Sequence, residues 1–148
     1  MTMGQSPPGK TYNEIGEELL FYQGRDDFGF RFPIRRVHCT APTRFAPAGD
    51  TLIRVRAPVG DINNMALENC AIGRGVAAVR HKSGSCSYTY QFMRGLTDVF
   101  ARFEAESTVF GSITKKDFHA IPCVLPPSAV VLTFERLLAP VDSQIEIN

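Results

Sequence analysis

Apolar positions along this chain fall in short blocks separated by Gly, Pro and Asn, and their spacing switches between the two-residue period of a strand and the three-to-four-residue period of a helix. Residues 19–22, 34–39, 51–55 and 76–79 read as strands, and 76–79 (Val-Ala-Ala-Val) has the continuous small apolar run of a strand buried on both faces. In 51–55, Leu52, Ile53 and Val55 are apolar, while Arg54 and Arg56 sit two apart and leave on one face. Pro58 cannot donate to a ladder, so this strand stops before the Gly60-Asp61 turn. Phe92, Leu96, Val99, Phe100 and Phe103 recur at helical spacing after a capping Ser85 or Ser87; the stripe should face the core, with Gly95 dividing it and residues 104–107 breaking it. Residues 108–110, Ile113 and 121–125 are strand-like, and Thr114 caps a short helix through His119, with Asp117 in the capping-box position. Pro126-Pro127 opens a last helix with Phe134, Leu137 or Leu138, Val141 and Ile145 on one stripe and a kinking Pro140 inside it. Residues 1–18, 40–49 and 63–68 read as loop, connector and polar crossover.

At 148 residues and 44% apolar content, one domain with its own core is expected. No apolar run approaches the roughly 20 residues of a membrane span, and the N-terminus lacks a signal-peptide pattern, so a cytoplasmic location is expected. The four cysteines form no CxxC pair and read as buried free thiols, with no metal site and no cofactor. The three histidines are scattered, His38 and Cys39 would point to opposite faces of a strand, and HExxH, GxSxG and P-loop patterns are absent, so no catalytic residues are assigned.

Charge changes the picture through its distribution. The net charge is +1, yet residues 25–94 hold eleven Arg or Lys against five Asp or Glu, between acidic ends. Twelve of the sixteen cations are arginine, whose planar fork suits phosphate oxygens and guanine edges. Basic clusters fall at turns: 25–36, 74–82 and Lys115-Lys116, the first two interleaved with aromatic residues. The glycine-bracketed loop 23–29 carries a charged tip. This is the footprint of a polyanion-facing surface.

The runs 3–8 (MGQSPP), 49–63 (GDTLIRVRAPVGDIN), 72–78 (IGRGVAA) and 107–113 (STVFGSI), then Asp117-Phe118, Ile121-Pro122 and 125–127 (LPP), occur in an order that resembles the target-recognition domain of the specificity subunit of type I restriction–modification enzymes. The resemblance covers nearly the whole chain. It implies an α/β (α+β) fold: a mixed, twisted sheet flanked by short helices over residues 1–126, followed by the start of a C-terminal spacer or dimerisation helix at 127–148. It also implies sequence-specific binding of double-stranded DNA at one half of a bipartite site, no intrinsic catalysis, and partnership with methyltransferase and restriction subunits. The second domain of the family is missing and the helix stops mid-stripe, so a one-domain fragment or half-length relative is expected, with a homodimer through the final helix restoring a two-half reader. Residues 104–107 read EAES where the family often has a Gly-x-Gly-Ser, and two acids there would repel phosphates.

Charge and turn placement assign the reading loops to Gln23, Arg25, Asp26, Arg31, Arg35 and Arg36, support to Arg74 and Lys82, and backbone contact to Lys115 and Lys116. Phe134, Leu138 and Ile145 are assigned to helix partners. Arg54 and Arg56, inside the family's signature, are expected to brace the sheet or contact phosphates generically. The alternative is a free-standing module that binds restriction–modification subunits through its last helix and modulates them.

Overall fold

The apolar blocks condense into two sheets and a set of helices in the computed structural model, which describes residues 1–61, 63–106 and 111–147. In chain order the elements are β1 (Thr2–Met3), β2 (Tyr12–Asn13), β3 (Leu19–Tyr22), β4 (His38–Cys39), β5 (Phe45–Ala46), β6 (Thr51–Arg54), β7 (Asn63–Met65), β8 (Cys70–Ile72), β9 (Val76–Val79), α1 (Cys86–Arg94), α2 (Thr97–Glu106), α3 (Lys115–Ala120) and α4 (Ser128–Ile147). One sheet, ordered β1-β9-β6-β7, is antiparallel throughout. The other, ordered β2-β4-β3-β8-β5, is mixed, with β3 and β8 parallel. The mixed α/β class therefore holds, with its strands divided between two sheets.

Period-two alternation in the central strands builds two cores. Leu52, Val76 and Ala78 point toward Leu20, Tyr22 and Ile72 of the second sheet. Ile53, Ala77 and Val79 point the other way, toward Met93, Phe100 and Ile121 of the helical layer. β6 and β9 are thus buried on both faces, as the continuous apolar run of 76–79 predicts for β9; in β6 burial extends to the polar Thr51 and to Arg54. Gly95 does separate α1 from α2, and the helical stripe packs inward with Phe100 fully buried. The Thr114–Asp117 capping box forms as expected: Asp117 donates its backbone N–H to Thr114 Oγ1 (3.2 Å) and accepts from the Thr114 N–H (2.9 Å). The Thr114 hydrogen bonds hold the Asp117 carboxyl below the usual carboxylate range.

Several local expectations give way to tertiary pairing. Residues 1–18 hold β1 and β2, because β9 and β4 offer them edges. The 40–49 connector holds β5, which pairs with β8 between two prolines. The polar crossover at 63–68 begins with β7, whose buried Asn64 exchanges side-chain hydrogen bonds with the Gly29 backbone (3.0 and 2.9 Å). Of residues 34–39 only β4 is strand, and α2 runs through Glu106. Residues 121–125 form no strand; prolines at 122 and 126 deprive that stretch of donors. Cys39 and Cys70 are buried, burial pushing the Cys70 thiol up to about 12, but Cys86 is half-buried and Cys123 exposed. The expected strand at 108–110 and the Phe103 side chain lie outside the described residues.

Arg54 turns inward, donating from Nη1 to both Asp61 carboxylate oxygens (2.9 and 2.8 Å) and from Nη2 to the Ala57 carbonyl (2.9 Å). It braces the turn that carries a cis Ala57–Pro58 bond and Gly60 at φ +61°. A Cβ on Gly60 would stand 2.2 Å from the Phe100 ring.

α4 is fastened to the domain by two acids. Glu135 accepts the backbone N–H groups of Cys86 (3.1 Å), Ser87 (3.2 Å) and Tyr88 (3.0 Å), so it caps α1 from another helix while Ser85 makes no side-chain cap bond. Asp142 forms a buried ion pair with Arg31, whose guanidinium lies 4.5 Å over the Tyr90 ring.

Gly60→Ala should cost at least about 2 kcal/mol in urea unfolding, left-handed strain adding to the Phe100 clash, whereas Gly9→Ala, with open space around it, should stay within about 0.5 kcal/mol. Glu135→Ala should cost about 1–2 kcal/mol through three uncapped donors. Asp142→Ala alone should cost about 3–5 kcal/mol, and pairing it with Arg31→Met should recover most of that, because the single change strands a buried cation.

Candidate nucleic-acid interface

The loop between β3 and β4 is polar, but it is held rigidly. Asp27, itself buried, accepts the backbone N–H groups of Gln23 (2.7 Å) and Gly24 (3.1 Å) on one oxygen and Arg36 Nη2 (3.2 Å) on the other. A single 3-10 turn, Arg25–Asp27, lifts Arg25 and Asp26 into solvent. Further along, the Gly29–Asn64 amide clamp and the Met65 N–H to Arg31 carbonyl bond (2.9 Å) tie the same loop to β7. The charged tip is therefore an arm fixed at both ends.

Gln23, Arg25, Asp26 and Arg36 share one shallow hollow of about 270 Å³. Arg74 adjoins it. Gly75 leaves only 2.2 Å between a would-be Cβ and the Gln23 carbonyl oxygen, and Gly73 donates its N–H to the Tyr22 carbonyl (2.8 Å). The 3–8 run secures this turn from the far side: Gly4 and Gln5 donate to the Val76 and Ile72 carbonyls (2.9 and 3.0 Å), and Ser6 Oγ accepts the Arg74 N–H (3.1 Å). Buried Val55 donates to the Gly75 carbonyl (2.9 Å), which sets the exposed Arg56 next in the chain at the same sheet end. This end meets α3, because Arg56 bridges Ser112 and Ile113 donates to the Val55 carbonyl (3.0 Å). Lys115 and Lys116 are exposed on the first turn of α3.

The remaining expected residues fall elsewhere. Arg35 is exposed and pairs with Glu68 at 2.7 Å, a surface contact worth about 0–1 kcal/mol that can be exchanged for a phosphate. Arg31 is only 6% exposed; it faces Asp142 and Tyr90 and joins the loop to α4. Lys82 lies past the opposite end of β9 from Arg74, in the turn before α1. On α4, Phe134 is half-buried, edge-on to Tyr88 (5.8 Å), Leu138 is half-buried, and Ile145 is exposed at the margin. The apolar side chains that α4 shows to solvent include Val130, Leu132, Leu137 (68% exposed) and Val141, besides Ile145. Residue patterns did not single out Asp27, Asn64, Glu135 or Asp142, which do the holding. The one available signal was an acid, Asp142, following directly on an otherwise apolar stripe.

Among the described residues no group of three His, Cys, Asp or Glu side chains is placed to hold a metal, and no helix is long and apolar enough to cross a membrane.

No protein-family model matches the chain. It is 36% identical over 148 residues to the "Putative type I restriction enzyme MjaX specificity subunit" of Methanocaldococcus jannaschii, a match that takes in 99% of this chain and 34% of that protein. A solved structure described as the structural basis of complex assembly and conformational transition of the type I R-M system superimposes with a TM-score of 0.78 at 39% identity, over 98% of this chain and 36% of that one. The HsdS subunit from Thermoanaerobacter tengcongensis superimposes with a TM-score of 0.76 at 37% identity, over 98% of this chain and 35% of its own. The chain is thus homologous to type I restriction enzyme specificity subunits and spans about a third of their length.

Proposed function

We propose that this chain is a non-catalytic DNA target-recognition unit of a type I restriction–modification system, reading one half of a bipartite site in double-stranded DNA. The observation that carries the reading is that Gln23, Arg25, Asp26 and Arg36 share one backbone-clamped hollow, with the Arg74 turn packed against Gln23, in a chain homologous to specificity subunits. These are the side chains that base edges call for. An arginine fork matches guanine O6 and N7, a glutamine amide matches adenine, and a carboxylate accepts from cytosine N4. Arg56, Lys115 and Lys116 along the same sheet end hold phosphates and set register. Arg35 exchanges Glu68 for a phosphate. Arg31 positions the loop against α4 and touches no base.

α4 carries recognition to the rest of the assembly. Its exposed Val130–Leu137–Val141 stripe suits a helical partner, in the methyltransferase or restriction subunits or in a second copy of the chain. The same stripe favours a second reading, in which the chain is chiefly an interaction module for those subunits. In the DNA-reading role the protein works in the cytoplasm, where the genome is.

Affinity for random-sequence duplex, measured against salt, separates the two. The DNA reading expects log affinity to fall steeply with log salt, and Lys115→Ala or Lys116→Ala each to lower the slope by about 1, weakening all sequences alike. Gln23→Ala and Arg25→Ala should instead change which duplexes are selected from a randomised pool, each at about 1–3 kcal/mol of discrimination. A slope near zero would leave only the interaction module.

A further inference from the structure

An apolar concavity lies away from the reading surface. A cleft of about 360 Å³ opens between the end of β9, α1 and α3, floored by Val79, Phe92, Met93, Leu96 and Phe118. Its size is within the range of about 300–1,000 Å³ that ligand-binding clefts occupy. Its rim is basic: His81 and Lys82 stand on the turn before α1, and His119 stands across the cleft at the end of α3. None of the described residues that line it carries a carboxylate, and Arg80, also at the rim, already faces Asp50.

Two features mark this cleft as unfinished. Tyr88 forms part of its wall, edge-on to His81 (5.3 Å) and stacked on Phe92 (5.8 Å), yet its buried hydroxyl has no hydrogen-bond partner among the described residues. The chain passing beside it shows Val124 (90% exposed) and Leu125 (59% exposed) to solvent. Lys82, which the DNA-facing surface leaves out, stands at its mouth.

We infer that this cleft is a docking site for a protein segment that inserts an aromatic or leucine side chain between flanking acidic residues. The apolar floor takes the side chain, and Lys82, His81 and His119 meet the acids. Duplex DNA fits this surface poorly, since a phosphate that enters an apolar-floored cleft loses water without gaining hydrogen bonds. The inference stands apart from the DNA reading, because it uses the far end of β9.

The probe is a fluorescein-labelled peptide alternating Asp or Glu with Leu or Phe, titrated into the 148-residue chain and followed by anisotropy, beside the same peptide with Lys at every acidic position. The acidic peptide should bind at least about tenfold tighter than the basic one. Leu125→Asp and Lys82→Glu, both on exposed residues, should each weaken it about fivefold or more with unchanged thermal unfolding. Equal binding of the two peptides, or indifference to Leu125→Asp, would overturn the proposal. So would loss of duplex affinity in Lys82→Glu equal to that in Arg25→Ala, which would assign the rim to DNA. A self-association abolished by Leu125→Asp would assign the cleft to a second copy and overturn it as well.

Discussion

The architecture depends on one carboxylate doing the work of a helix cap from a distance. Glu135 closes three donors at the start of α1, and in doing so fixes α4 across the helix that also packs on β6 and β7. A local Ser or Asp cap would have satisfied the same donors and left α4 free. Using an acid from α4 makes the end of α1 and the placement of α4 a single cooperative unit. Asp142 adds the second point of attachment through Arg31, and two points fix a direction as well as a position.

That arrangement has a consequence for recognition. Arg31 belongs to the same loop as Gln23, Arg25 and Arg36, and its backbone carbonyl is bound to Met65 of β7. The loop is therefore held by Asp27 near its tip, by Asn64 at its middle and by α4 through Arg31. A surface made rigid this way loses little conformational entropy on binding a ligand, a cost that otherwise lowers affinity. It also ties the orientation of α4 to that of the loop side chains, through packed and paired groups.

Charge is divided by role within the basic middle of the chain. Arg54 and Arg31 are buried and structural, bracing a turn and a helix contact respectively. Arg25 and Arg36 line one hollow, and Arg74 is exposed on the turn whose glycines pack against Gln23. Lys82 shares a basic rim with two histidines above an apolar floor. Neighbouring arginines in sequence, such as Arg54 and Arg56, end in different environments because the strand terminates between them and the chain turns.

What the amino-acid order determined by itself was everything that rests on short-range periodicity and capping. The strand β6, the doubly buried β9, the Gly95 break between α1 and α2, the Thr114–Asp117 box and the start of α4 after Pro126-Pro127 are each written in residues within one turn or one strand length of each other. The exposed charged tip of the β3–β4 loop was also legible, from charge and glycine placement. Tertiary structure alone decided the rest. β1, β2, β5 and β7 are two- or three-residue strands whose propensity is too weak to declare them, and they exist because a partner edge lies alongside. Arg31 and Arg36 looked equivalent as exposed loop cations; a partner 111 residues away on α4 buries one, and a loop acid nine residues away leaves the other at the surface. Contacts of that separation leave no periodic trace in sequence, so the division between buried holding residues and exposed ones emerges only when the chain is closed on itself.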